Sequence, residues 1–193
     1  MERESPHPGL EIEGKFEVYS PAVITRRLQA LPFSYTGRVV QRDVYYTSPC
    51  RDFGESDEAL RVRYEGTEVI LTYKGPKLRA HGLKAREEVN IPVPSGKDLE
   101  VLLERLGFIP AFTVEKRRER YDGDGVEISL DEVTGLGTFI EIELKEVHDR
   151  PEEKIEAIKK ELGITGEHIP LSYLELLRLK QNADQSGYPS PPH

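Results

Sequence analysis

The stretch "LEIEGKFEVY", Leu10 to Tyr19, decides the fold. Its apolar residues Leu10, Ile12, Phe16 and Val18 fall on one parity, and Glu11, Glu13, Lys15 and Glu17 fall on the other. A period of two belongs to a β-strand, whose successive side chains point to opposite faces. The charged face is then either a solvated outer surface or the lining of a polar interior. The remaining strands have to choose between the two.

The alternation recurs at Val39 to Thr47, Ala59 to Tyr64, Glu68 to Lys74, Lys84 to Val93, Phe112 to Tyr121, Val126 to Val133 and Thr138 to Val147. With the first stretch that makes eight strands, enough to close a small barrel. Glu65-Gly66-Thr67 and "DGDG" at 122–125 read as hairpin turns, so the sheet is expected to be antiparallel. Helices are expected at four places. One opens at Ser20-Pro21 and runs through Leu31. A second follows Ser95 with Asp98 as a capping pair, its stripe being Leu99, Leu102, Leu103 and Leu106 before Gly107. A third starts at Pro151 with Ile155, Ile158 and Leu162 on one face, and the last is "YLELLRLK" behind Ser172 and Glu175. The fold class is therefore α+β: a closed, antiparallel, eight-stranded barrel or tunnel with a charged lumen and helices packed outside. A single domain over 10–181 is expected, with a flexible segment at 1–9 and a disordered tail at 182–193 that contains "PSPP".

Composition narrows the function. The chain has 193 residues, 35 of them acidic and 27 basic, for a formal net charge of −8, which argues against a nucleic-acid binder working by bulk electrostatics. No apolar run reaches the ~18 residues that span a bilayer, and "MERESPHPG" has no signal-peptide pattern, so no membrane partner and a cytoplasmic location are expected. The single cysteine, Cys50, reads as a loop thiol, and His7, His148 and His193 as solvated side chains.

The charges on the polar parity sort by strand. Arg61 and Arg63 stand two apart, Lys74 closes the next strand, and Lys116, Arg118 and Arg120 share a face. Carboxylates dominate elsewhere, with Glu127, Ser129 and Asp131 on one strand and Glu141 and Glu143 on another. Arg86, Glu88 and Asn90 share a third parity. A solvated surface mixes signs along each strand so that cross-strand pairs form. If the helices cover the apolar faces, these charges point inward, and an interior of that kind must be wet because burying unpaired ions costs several kcal/mol each. A lipocalin-like barrel, by contrast, would have an apolar lumen. Many cations suit a polyanion, and arginine forks suit phosphate oxygens. Carboxylates beside them call for a hard divalent cation such as Mg²⁺ or Mn²⁺. The pattern asks for a metal-bound polyphosphate.

The residues resemble the CYTH superfamily, the triphosphate tunnel metalloenzymes that include class IV adenylyl cyclases and thiamine triphosphatases. The resemblance runs from about Leu10 to Leu177 on "EIEGK", "QRDVYYTSP", "ALRVR", "LTYKGP", "AREEVN", "VEKRRERY", "LDEVTGLGTFIEIE" and "SYLELL". It implies a catalytic group of Lys15, Glu11 and Glu13. It further implies metal carboxylates at Glu11, Glu13, Glu88, Asp131, Glu141 and Glu143, and a triphosphate grip from Lys15, Arg61, Arg63, Lys74, Arg86, Lys116 and Arg118. Asn90 departs from the pattern, standing where relatives often place another glutamate. "DEALRVR", "LTYKGP" and "GLGTFIEIE" look most like the class IV adenylyl cyclase branch, which implies conversion of ATP to cyclic AMP and pyrophosphate. Hydrolysis of inorganic triphosphate, thiamine triphosphate or a nucleoside triphosphate is the alternative. A non-catalytic polyphosphate or nucleotide-binding module is a third reading, and a homodimer is compatible with all of them. The base and ribose pocket is carried by no motif; His81, in "GPKLRAHGLK", reads as part of a surface loop.

Overall fold

The computed structural model describes residues 9–80, 83–146 and 149–186, and of residues 9–11, 78–80, 83–85 and 186 the backbone alone. The histidine readings at His7, His81, His148 and His193 lie outside the described residues. Eight strands and four helices follow one another as β1 (Gly9–Glu17), α1 (Pro21–Ala30), β2 (Ser34–Thr47), β3 (Ala59–Glu65), β4 (Glu68–Ala80), β5 (Leu83–Pro92), α2 (Gly96–Arg105), β6 (Ile109–Gly123), β7 (Val126–Val133), β8 (Gly137–Leu144), α3 (Pro151–Glu161) and α4 (Tyr173–Ser186). All strand pairs are antiparallel, in the order β1-β5-β4-β3-β2-β6-β7-β8, and β8 pairs back onto β1. Among the described residues no helix is long and apolar enough to cross a membrane.

Local chemistry sets the joints. The β6–β7 turn places Asp124 and Gly125 at φ 53° and 69°, the left-handed pair that a two-residue hairpin requires. Ser95 Oγ accepts from the Asp98 backbone N–H at 3.2 Å and starts α2. Glu175 and Ser172 cap each other in both directions, with the Ser172 N–H donating to Glu175 Oε2 at 2.7 Å and the Glu175 N–H to Ser172 Oγ at 3.3 Å.

The apolar parity faces outward under three of the helices. Ile24 and Leu28 of α1 and Ile155 and Ile158 of α3 pack with Leu162 against Phe16, Val18, Ile128, Ile140 and Ile142. Gly14 makes this contact possible, because a Cβ there would stand 2.8 Å from Ile155 Cγ2. Leu99 and Leu103 of α2 cover Val44, Tyr46 and Val62, each buried leucine contributing about 1.5–3 kcal/mol. The other half of the expected α2 stripe is not used: Leu102 and Leu106 are 55% and 57% exposed. Their helix lies on three twisted strands that reach only its Leu99/Leu103 edge.

Helix α4 departs from the expectation that all helices lie outside. Its Tyr173 joins Val114, Val133 and Phe139, with Tyr45, Leu174 and Leu177 packed against them. The parities of Lys116, Asp131 and Glu141 place Val114, Val133 and Phe139 on the inward rows, so the lumen turns apolar at one end and α4 inserts there. The expected tail also begins too early, since Asn182 to Ser186 continue α4. At the other terminus, Gly9 already pairs with Glu88 in β1.

Candidate functional site

The strands enclose a cavity of about 780 Å³ lined by charged side chains from every strand. The charged parity of β1 faces inward at Glu13 and Lys15, which settles the question its alternation poses. Glu11 belongs to the same strand, opposite Arg86, but its side chain lies outside the described residues. Arg61, Arg63, Lys74, Arg86, Glu88, Lys116, Arg118, Glu141 and Glu143 all line the cavity. Glu115, Arg117 and Glu119 occupy the opposite parity, and Arg117 pairs with Glu132 at 3.1 Å in solvent.

The lumen has two electrically distinct sides. On the acidic side Glu13 stands opposite Glu143 and Glu143 opposite Glu127, a row of carboxylates across β1, β8 and β7. Like charges directly opposite repel, and Lys145 Nζ, 2.9 Å from Glu143 and 3.2 Å from Glu127, is a cation at the rim of this row. Among the described residues no three histidine, cysteine, aspartate or glutamate side chains are placed to share an ion. Hard oxygen donors in a row nevertheless fit Mg²⁺ or Mn²⁺, which take one or two carboxylates and complete their shell with phosphate oxygens and water. Glu13 and Glu143 are the described residues that would hold such an ion, with Glu141 beside them.

The basic side is organised by two buried aspartates. Asp43 accepts from Arg63 Nε and Nη2, both at 2.7 Å, and lies 3.6 Å from Arg61 Nη1. Burial by itself would raise its pKa, but Arg61 and Arg63 hold the carboxyl well below the usual carboxylate range. Asp131, fully buried, accepts from Arg118 Nε at 2.7 Å and from the Tyr173 hydroxyl at 2.9 Å, and lies 3.5 Å from Lys116 Nζ. Burial opposes its charge too, and Arg118 and Lys116 reverse that effect. Arg118 also pairs with Glu141. Burial would lower the Arg118 pKa, yet Asp131 and Glu141 hold it well above its ordinary value. Lys116 goes the other way: burial, with Arg118 beside it, brings its ammonium down to about 8.

The remaining expected ligands have partners that sequence could not supply. Lys15 Nζ donates to the Leu171 carbonyl at 3.0 Å, pairs with Glu141 at 3.2 Å and sits 4.1 Å over the Tyr173 ring, tying β1 to the start of α4. Lys74 pairs with Glu88. Arg86 donates to the backbone carbonyls of Gly75 and Asp57, bracing the β4 kink and the loop before β3. In this structure Asp131, Glu88 and Glu141, all expected as metal carboxylates, neutralise cations. Missed by the sequence reading are Asp43, Tyr173 and Glu65. Glu65 holds Arg120 through two 2.7 Å bonds and accepts from Gln41 Nε2 at 2.5 Å. Asp43 stands within the stretch "QRDVYYTSP", but no charge pattern on its strand singles it out.

Comparison with known proteins identifies the family. The CYTH domain model matches residues 9–173. A Methanocaldococcus jannaschii protein named "Putative adenylate cyclase" is 34% identical over 172 residues, 86% of this chain and 98% of the relative. The structure of the PH1819 protein of Pyrococcus horikoshii superposes with a TM-score of 0.77 at 39% identity, covering 88% of this chain and 99% of that one. HpAC1 of Hippeastrum, described as a "putative adenylyl cyclase" with "a dominant triphosphatase activity", shares the fold at TM-score 0.66 and 23% identity, over 94% of this chain and 98% of its own. The barrel with its two-sided charged lumen, matched along its whole length, belongs to the CYTH domain family.

Proposed function

We propose that this chain is a metal-dependent enzyme that binds a triphosphate inside the barrel and promotes attack of an oxygen nucleophile on one of its phosphorus atoms. The division of the lumen carries the reading: an arginine and lysine arm faces a carboxylate row, and a polyphosphate with its divalent cation is the ligand that satisfies both. Arg61, Arg63, Lys116 and Arg118 bind and orient the phosphate oxygens, and their fixed positive charge stabilises the negative charge that shifts onto those oxygens at the transition state. Lys15 adds a donor where β1 meets α4. Glu13 and Glu143, with Glu11 on the same parity of β1, would hold Mg²⁺ or Mn²⁺, which would neutralise phosphate charge and favour the attacking oxygen.

The name of the M. jannaschii relative favours ATP cyclisation as the first reaction. There the ribose 3′-oxygen attacks the α-phosphorus and gives its proton to solvent water, the bond to the α,β-bridging oxygen breaks, and pyrophosphate leaves. Triphosphate hydrolysis is the second reading, because the lumen groups described above read phosphate and metal, features inorganic triphosphate shares with ATP. A module binding the bare polyanion alone would gain nothing from a carboxylate row.

The test is incubation with ATP, inorganic triphosphate and thiamine triphosphate under Mg²⁺ and under Mn²⁺, with product identification. Cyclic AMP with pyrophosphate supports cyclisation, and orthophosphate without cyclic AMP supports hydrolysis. Turnover of none of the three under either metal would overturn both.

A further inference from the structure

Asn90 lies on the parity of β5 that lines the cavity, and the cross-strand register shows what it does. It stands opposite Thr72 on β4, and Thr72 stands opposite Arg61 on β3. The Thr72 hydroxyl donates to Asn90 Oδ1 at 2.7 Å and accepts from Arg61 Nη2 at 3.0 Å. Arg61 lies beside Asp43, and Asp43 grips Arg63 through two parallel bonds. Thr72 and Asp43 are almost wholly enclosed, at 0% and 2% exposure.

We propose that Asn90, Thr72 and Asp43 are positioning residues that fix the guanidinium planes of Arg61 and Arg63 for the phosphate oxygens of the substrate. This inference rests on the reading of the lumen as a triphosphate site. A hydroxyl carries one proton, and here an acceptor at position 90 takes it, so the oxygen lone pairs of Thr72 face Arg61. Arg63 spends its Nε and Nη2 edge on Asp43, which leaves Nη1 as the donor edge for a ligand. Charge explains the choice of an amide. A carboxylate at position 90 would accept the same hydrogen bond but would place a negative charge beside Arg61 and weaken the arm's hold on an anion. The amide at position 90 therefore serves the anion.

The experiment is calorimetric titration of the intact chain with inorganic triphosphate in the presence of Mg²⁺, with thermal melts confirming that each variant is folded. Thr72→Val, which removes the hydroxyl while keeping the shape, is expected to bind about tenfold more weakly, the scale of one hydrogen bond to a charged group. Thr72→Ser is expected to restore affinity to within about twofold of the original. Asn90→Ala acts at an exposed position and reports on the same chain should Thr72→Val fail to fold; about fivefold weaker binding is expected. Folded Thr72→Val or Asn90→Ala binding as tightly as the unaltered chain, or Thr72→Ser binding as weakly as Thr72→Val, overturns the positioning chain and leaves the triphosphate site standing. Absence of triphosphate binding by the unaltered chain overturns both.

Discussion

Asp131→Asn is the sharpest perturbation of the lumen, because it removes one negative charge and almost no volume. The carboxylate is completely buried, accepts from Arg118 and the Tyr173 hydroxyl, and neighbours Lys116. An asparagine can keep one acceptor, but its amide hydrogens face the guanidinium. Arg118 and Lys116 then lose their nearest buried carboxylate while Glu141 is already shared with Lys15, and breaking a buried pair from one side costs about 3–5 kcal/mol. For a chain of this size that corresponds to a fall of about 6–20 °C in Tm. The sign with pH follows from the depressed carboxyl. Its contribution is fully present above the unfolded pKa of about 3.9 and is lost as pH falls through the lower folded value. Urea unfolding of both proteins from pH 7 to pH 3 should show a gap of about 3–5 kcal/mol that narrows below about pH 4. A gap below about 1 kcal/mol at pH 7, or one that stays constant across the range, would refute the clamp.

Lys116 gives a second pH signature. With its ammonium at about 8 in the free protein, a bound polyanion raises that value, so binding at pH 8 should take up about half a proton that a Lys116→Arg variant does not. Calorimetry in buffers of different ionisation enthalpy measures it, and equal uptake by both proteins contradicts the assignment. The same lysine makes stability rise with pH between about 8 and its unfolded value of about 10.4, where only the unfolded chain holds the proton. Gly14→Ala should cost about 1–3 kcal/mol by driving a methyl into Ile155, read as a lowered urea midpoint; an unchanged midpoint would mean that α3 moves aside freely. Glu13→Gln should abolish metal-dependent turnover while the urea transition stays cooperative, because the amide keeps the shape of the side chain and removes an anionic metal donor. Undiminished activity in this variant, or in excess chelator, would remove the metal role.

Strand parity made the barrel and its charged interior readable, because a period of two assigns each side chain to a face regardless of register. Register itself was not readable. Asp43 meets Arg63, and Thr72 meets Asn90, only because β2–β3 and β4–β5 pair where they do, and a shift of two residues would have kept the parity and changed every partner. Tyr173 was read as one apolar position on an outer helix, since nothing local shows that Val114, Val133 and Phe139 make the inward rows apolar at one end. Leu102 and Leu106 misled for the converse reason: a helix stripe states what can be buried, and the neighbouring surface decides how much of it is. The turns and caps, which depend on contiguous residues, were legible from "DGDG", Ser95 and Ser172 alone.

The central claim is that the basic arm and the carboxylate row grip one ligand between them. A crystal structure of the chain with inorganic triphosphate and Mn²⁺ tests it directly, the manganese being located by its anomalous scattering. The expected result is phosphate oxygens within hydrogen-bonding distance of Arg63, Lys116 and Arg118, with manganese bridging them to Glu13 or Glu143. Triphosphate bound only on the outer surface at saturating concentration, or manganese distant from both glutamates, would contradict it.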